Sequence, residues 1–359
     1  MFSDQSGNIV GILKGYKHDS SVLLLSHYDA SRTPVPSAYE HSLVFTSETS
    51  DNQVNLLNSY NIASQIYAGA LLKRCALPME GDIVVACMTA PAEAIFSRSK
   101  VLIDCTLKEN GYRPSYVLLA EPTDLNMYIG NKGLLEYKIS VKMKRKGKTA
   151  ADRQSLYERI IPAVNCLKSY ATGLPSSNLV GKAMLDVKSV SYNNNAGPDK
   201  ARTDFDIIVE RKVVPGETTE RICDKASDLV RTSCDTADIS TRPVQDSIVR
   251  RDRTICLERS LSPWNLMSNN PFVITAGEAL RNIDIAAGTG FWQETITDGS
   301  YTCGELKIPT IGYGLGQEGQ TGSRAAPAMA AVSQCVLGTA AIVQSTIGFP
   351  VFGWSSDEI

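Results

Sequence analysis

Over the first third of the chain, hydrophobic residues gather in short continuous runs. Ser21–Ser26 (SVLLLS), Ile83–Met88 (IVVACM) and Tyr116–Ala120 (YVLLA) show no alternation with polar residues. A strand buried on both faces has this pattern, because each of its two sides meets a covering layer. Between the runs the period changes. Ile62–Arg74 (IASQIYAGALLKR) places apolar residues at 62, 66, 70 and 71, one stripe of a helix. Arg98–Lys108 predicts a second helix, stopped at Asn110-Gly111. Strands alternating with helices predict a parallel α/β sheet.

The middle of the chain follows another rule. Leu134–Met143 (LLEYKISVKM) alternates like a half-exposed strand. Leu156–Tyr170 predicts a helix with Pro162 near its start or at a kink. Ala183–Ser191 and Thr203–Val214 predict strands joined through the turn-rich stretch Tyr192–Lys200 (YNNNAGPDK). Thr218 or Thr219 can cap a helix with Ile222, Ala226, Leu229 and Val230 on one face, and Ala237–Arg242 predicts a last strand. The order β-α-β-β-α-β is that of a ferredoxin-like unit. Later, Pro271–Arg281 predicts a helix, Ile308–Tyr313 a strand and Ala328–Ser345 a long helix. The expected architecture is one α/β domain from residues 1–130 and 250–359, with a smaller α+β domain at 131–249 inserted into it.

Composition narrows the chemistry. The 359 residues are 43% hydrophobic and carry a formal charge of -2, which gives no general attraction to nucleic acid or membrane. No apolar run reaches the roughly 18 residues of a membrane span. The start, MFSDQSGNIVGILKG, lacks the basic segment and apolar core of a secretory signal. The nine cysteines are scattered, odd in number and without a C-x-x-C pair, as expected for reduced thiols in the cytoplasm. The basic run Lys142, Lys144, Arg145, Lys146 and Lys148 has no interleaved aromatics and reads as a solvated loop. The three histidines are His18, His27 and His41, so chemistry that needs a distant second histidine is excluded within one chain.

His27 and Asp29 follow the first buried run, two residues apart and on one face if the strand persists. Glu121 follows the YVLLA run. Ligands of open α/β sheets bind beyond the carboxyl ends of strands, so His27 and Glu121 are candidate ligands of one metal. Asp29 could hold the imidazole tautomer. The plainer alternative is a histidine packed at a strand end.

Six blocks occur in a telling order: LLLSHYDA, YAGALLKR, GDIVVA, AEPTDLNMYIGNKG, VERKVVPGET and TDGSYTCGELKIPTIGYGLG. Together they resemble the zinc peptidase and deacylase family of acetylornithine deacetylase, succinyl-diaminopimelate desuccinylase and carboxypeptidase G. The resemblance runs from about residue 8 to about residue 345. It implies a zinc-exopeptidase-like α/β catalytic domain with an inserted ferredoxin-like dimerisation domain. It also implies two zinc ions bridged by an aspartate, and a glutamate that activates water. His27, Asp29 and Glu121 match the first-metal His, its supporting Asp and the acidic ligand.

Elsewhere the pattern is lost. Leu57 stands at the bridging aspartate, with Tyr60 and Asn61 at the glycines that follow. Pro91-Ala92 replace the paired glutamates, and Glu93, one place beyond, is the residue that could stand in as base. The inserted-domain histidine would fall at Lys144–Thr149, and the last zinc histidine at Gly322–Ala325. Asn58 or Asn61 could offer a neutral oxygen. Cys87 and Cys303 read as structural thiols unless they approach the site. Lys212, Asp298 and Gly299 match regions that bind the substrate carboxylate, with Lys212 where an arginine is usual. Only six residues precede the GNIVGILKG segment, where the family has several dozen, which implies apolar surface suited to an oligomer or partner.

The resemblance with these losses implies a degenerate, catalytically inactive subunit for binding, scaffolding or regulation. It would need no metal, or hold a single zinc or other divalent ion. The alternative is a metal-dependent hydrolase of acyl-amino acids or small peptides with a reduced site around His27 and Glu121. The expected partners are a second copy or an intact paralogue, joined through the inserted domain, and a small acyl-amino-acid-like ligand. Neither nucleic acid nor membrane is expected.

Overall fold

The computed structural model describes residues 1–28, 50–89, 95–144, 150–193, 202–233, 237–250, 253–319 and 327–349. The chain divides into two compact units, Met1–Asn131 with Trp264–Ile359, and Lys132–Pro263.

The first unit is built on an eight-stranded sheet. Its centre holds Asp82–Met88, Ser21–His27, Tyr116–Leu119 and Thr310–Gly312, all parallel and in that order. Ile9–Leu13 and Phe2–Ser3 extend one edge, and Met127–Tyr128 and Thr289–Gly290 the other. Successive residues along each strand face opposite sides. Val22, Leu24, Ile83 and Leu118 therefore meet helices Ser50–Arg74, Pro271–Arg281 and Met329–Ile347 on one side. Leu23, Leu25, Val84, Val117 and Leu119 meet Leu102, Ile103, Leu107 and Tyr301 on the other. This double burial explains the unbroken apolar runs.

Two helices differ from their patterns. Ser50–Arg74 begins well before Ile62. Its inward stripe holds the buried Asn58, Asn61, Ser64 and Gln65, so it does not register as amphipathic. Gln65 Nε2 donates to Leu118 O at 3.0 Å, fixing the helix to the sheet. The segment from Arg98 makes one α-turn, Arg98–Lys100, and continues as a π-helix over Val101–Leu107. A second π-helix spans Ser300–Glu305. Helix Pro271–Arg281 follows its signals: Pro271 opens it and the Asn270 side chain accepts from Phe272 N at 3.0 Å. Met329–Ile347 is the one described helix long and apolar enough to cross a membrane, and it buries Cys335, Ala340, Ile342, Val343 and Ile347 in this unit's core.

The second unit has an antiparallel sheet in the order Met184–Asn193, Arg202–Val213, Gly133–Lys144, Ala237–Pro243. Together with helices Ala150–Thr172 and Thr219–Ser233 this is the ferredoxin-like arrangement. Pro162 lies inside the first of these helices, which starts at Ala150 rather than Leu156. Tyr137, Ile139, Val141, Phe205, Ile207 and Val209 form one buried face of the sheet. On the alternate positions, Lys138 pairs with Asp206 at 3.6 Å and Ser140 donates to the same aspartate at 2.6 Å. The hairpin Gln245–Arg250 with Arg253–Glu258 belongs to this unit, so the chain returns to the first unit at Trp264, not near residue 250. The mixed α/β class with a ferredoxin-like insertion is thus the observed one.

Candidate metal site

Strand register creates the site. Leu25 lies level with Leu119 in the parallel pair, and Ala120 N donates to Leu25 O at 2.9 Å. His27 and Glu121 each lie two residues further, so they leave the sheet side by side. His27 Nε2 lies 2.9 Å from Glu121 Oε1, and the two side chains are 11% and 7% exposed. Asp298 joins them: one ligand atom from each of the three residues lies within 4.8 Å of the others. This is the one such His, Cys, Asp and Glu group among the described residues.

Asp298 arrives on the loop that opens the second π-helix, where its carbonyl accepts from Tyr301 N at 3.0 Å and Thr302 N at 3.1 Å. Its carboxylate is gripped by Arg98: Nε lies 3.1 Å from both oxygens and Nη2 lies 2.8 Å from Oδ2. Both side chains are buried, so the pair neutralises itself out of water. The loop is held by a buried polar knot. Asn131 Oδ1 accepts from Trp264 Nε1 at 2.7 Å and Thr297 Oγ1 at 2.6 Å, and Asn131 Nδ2 donates to Ser300 Oγ at 3.0 Å. A Cβ on Gly299 would fall 2.3 Å from the Trp264 ring, so this glycine is required by the indole beside it.

The donor set fits one divalent cation. Two ligands bound to tetrahedral zinc at about 2.0–2.1 Å lie about 3.3 Å apart. The His27–Glu121 separation of 2.9 Å is close to that bite. Asp298 would be a third ligand, but its oxygens already hold a guanidinium.

The position of the expected bridging aspartate is apolar. Leu57 is buried in the core, and a Cβ on Gly316 (φ +80) would meet its Cδ2 at 2.6 Å. Asn61 cannot freely offer its oxygen: Oδ1 accepts from Leu315 N at 2.8 Å while Nδ2 donates to Leu315 O at 3.3 Å. Burial raises the Cys87 thiol above its ordinary range and pushes that of Cys303 up to about 11, so both stay protonated at neutral pH. Lys212 lies on strand Arg202–Val213 of the second unit, level with Leu134 and Met184. Asp29, Pro91, Ala92, Glu93, Arg145–Thr149 and Gly322–Ala325 fall outside the described residues.

Sequence reasoning missed Arg98. One signal was present. A cation in the first turn of a helix opposes the macrodipole and needs a compensating anion. That anion, Asp298, is 200 residues away in the chain.

No protein-family model matches the chain. It is similar to the uncharacterized protein YgeY of Escherichia coli (strain K12), 23% identical over 262 residues. That stretch covers 72% of this chain and 62% of YgeY, under two thirds of the relative's length. The fold is similar to that of aminopeptidase PepT from Bacillus cereus, with TM-score 0.62 and 14% identity over 96% of this chain and 88% of that one. A tripeptidase from Staphylococcus aureus gives 0.61 at 14% identity, over 96% and 87%. The Bacillus subtilis YXEP protein, a dinuclear metal binding peptidase from the M20 family, gives 0.57 at 14% identity, over 95% and 86%. At these identities the likeness establishes the fold.

Proposed function

We propose that this chain is a degenerate relative of the metal-dependent peptidases and amidohydrolases that share its fold, acting as a non-catalytic binding or regulatory subunit. One observation carries the reading: Leu57, packed on Gly316, stands where the resemblance calls for a bridging carboxylate. A leucine can neither share two cations nor offset their repulsion. No histidine follows His41 to ligate a second ion.

The remaining half of the centre has a defined role in this reading. His27 and Glu121 would hold at most one divalent ion, such as zinc, with Asp298 beside them. A bound ion there would polarise a carbonyl or a water. The buried Arg98 places a fixed positive charge against Asp298, which weakens that residue as a metal ligand. Gly299 in the first unit and, separately, Lys212 in the second remain candidates for contacting a small acyl-amino-acid-like ligand. The eight described cysteines are all free, which supports a reducing, cytoplasmic setting. Pairing with a second copy or an intact paralogue through the ferredoxin-like unit completes the proposal.

The test is an assay of the purified chain with dipeptides and N-acyl amino acids in the presence of zinc, cobalt or manganese. The expected result is no turnover. Metal-dependent turnover abolished by His27→Ala would overturn the reading. It would favour the second one, a single-metal hydrolase, which the closeness of His27, Glu121 and Asp298 supports. Elemental analysis after zinc supplementation separates the two further, since the hydrolase requires one tightly held ion per chain.

A further inference from the structure

The two π-helices of the first unit share a second feature, at the end of the sheet opposite His27 and Glu121. Residues from Val101–Leu107 and its continuation, from the loop entering strand Tyr116–Leu119, and from the loop entering strand Thr310–Gly312 enclose a groove of about 380 Å³. That volume lies within the roughly 300–1,000 Å³ of small-molecule sites. Ile103, Pro114, Leu306 and Ile308 supply apolar walls. Leu306 is 37% exposed, a large apolar side chain left open to solvent. Lys108 and Arg113 stand at the same groove, and neither side chain has an ion pair among the described residues. Asp104, the groove's carboxylate, is engaged by the Tyr301 hydroxyl. Asp104 keeps its negative charge, but Lys108 and Arg113 together outweigh it, so the groove's net charge is positive over an apolar floor.

We propose that this groove binds a small organic carboxylate with an apolar body. The carboxylate would sit on Lys108 and Arg113, and the body would cover Ile103, Leu306 and Ile308. Arginine and lysine hold a carboxylate through charge-assisted hydrogen bonds, and the exposed leucine gains from being covered. The groove's lining residues are separate from His27, Glu121 and Asp298, at the opposite end of the strands.

Its walls are not passive. The same two helical segments begin at Arg98 and beside Asp298, the buried pair next to Glu121. They are cross-linked midway by the Tyr301–Asp104 hydrogen bond and by Lys100 with Glu305 at 3.3 Å. π-Helices are rare and recur at functional positions, where a widened turn costs backbone stability. An occupant of the groove would bear on both segments at once, and so on the Arg98–Asp298 pair at their other ends.

Calorimetric titration of the full chain with 4-phenylbutyrate tests the proposal, with 4-phenylbutanol and 4-phenylbutylamine as controls. The expected result is saturable binding of the acid, at least about tenfold tighter than either control. The variant carrying Lys108→Gln and Arg113→Gln should lose at least about tenfold in affinity, and Leu306→Asp a comparable amount. These side chains line an open groove, and circular dichroism checks that the variants fold. His27→Ala should bind the acid unchanged, which separates this groove from the other end of the sheet. Hydrogen exchange should slow across residues 98–107 and 300–306 on binding. No binding, equal binding of the amine, or full affinity in the double variant would each overturn the site. Unchanged exchange in both segments would overturn its link to the Arg98–Asp298 pair.

Discussion

The two halves of the candidate metal centre lie in one unit and have opposite characters. On one side, His27, Glu121, Asp298 and Arg98 keep four ionisable groups close together and nearly out of water. On the other, Leu57 and Gly316 meet as ordinary core. A dinuclear site needs both halves to be anionic, because each cation's repulsion for the other is offset by shared carboxylates. Here the charged half is balanced by a guanidinium, and the apolar half by packing. Under the proposed function, the difference teaches that loss of a metal position need not leave a hole. The fold closes it with volume on one side and with a fixed internal cation on the other.

That contrast can be broken most severely at the charged half. Asp298→Ala should strand the Arg98 guanidinium and cost about 3–5 kcal/mol in urea denaturation. A double replacement, Arg98→Met with Asp298→Leu, should regain most of it, since an apolar pair of similar volume removes both buried charges. Next comes the apolar half. Leu57→Ala should cost about 2–5 kcal/mol, read the same way. Leu57→Asp sharpens the contrast: elemental analysis should find no more than one zinc per chain, because no second histidine is supplied. A smaller effect is expected from His27→Ala, about 1–3 kcal/mol, since it deprives the buried Glu121 of a partner. It should also abolish any zinc retention.

The smallest effects concern the thiols around these cores. Cys75 and Cys256 are exposed and should alkylate at neutral pH in a mass-spectrometric assay, while Cys303 and Cys335 react only on unfolding. Burial pushes Cys303 and Cys335 up to about 11, above the roughly 8.5 of a free thiol. Folding therefore favours the protonated form. The resulting stability is complete below about pH 8.5 and declines as pH rises toward 11, because the unfolded thiols release their protons first.

Much of this was legible in the sequence, and the reasons are particular. The runs ending before His27 and before Glu121 had to be central strands, because an unbroken run of four or five apolar residues in so short a length needs burial on both faces. Parallel pairing then brings their ends level. The first turns of helix Ser50–Arg74 were not legible, since Asn58, Asn61 and Gln65 bury polar groups that only the folded backbone satisfies. Arg98 looked like any helix cation until Asp298 arrived from the far end of the chain. The pairing of Gln245–Arg250 with Arg253–Glu258 was not singled out by the sequence pattern.

Asn131 and Trp264 are cross-strand partners and also share a side-chain hydrogen bond, and they are the last residue before and the first residue after the 132–263 excursion. Antiparallel neighbours stand about 5 Å apart, a gap that two or three residues can bridge. The excursion thus leaves and rejoins its host through a single doorway. Excision of 132–263 with a short glycine linker would leave the host polypeptide topologically unbroken, a splice point at which a different module could be grafted.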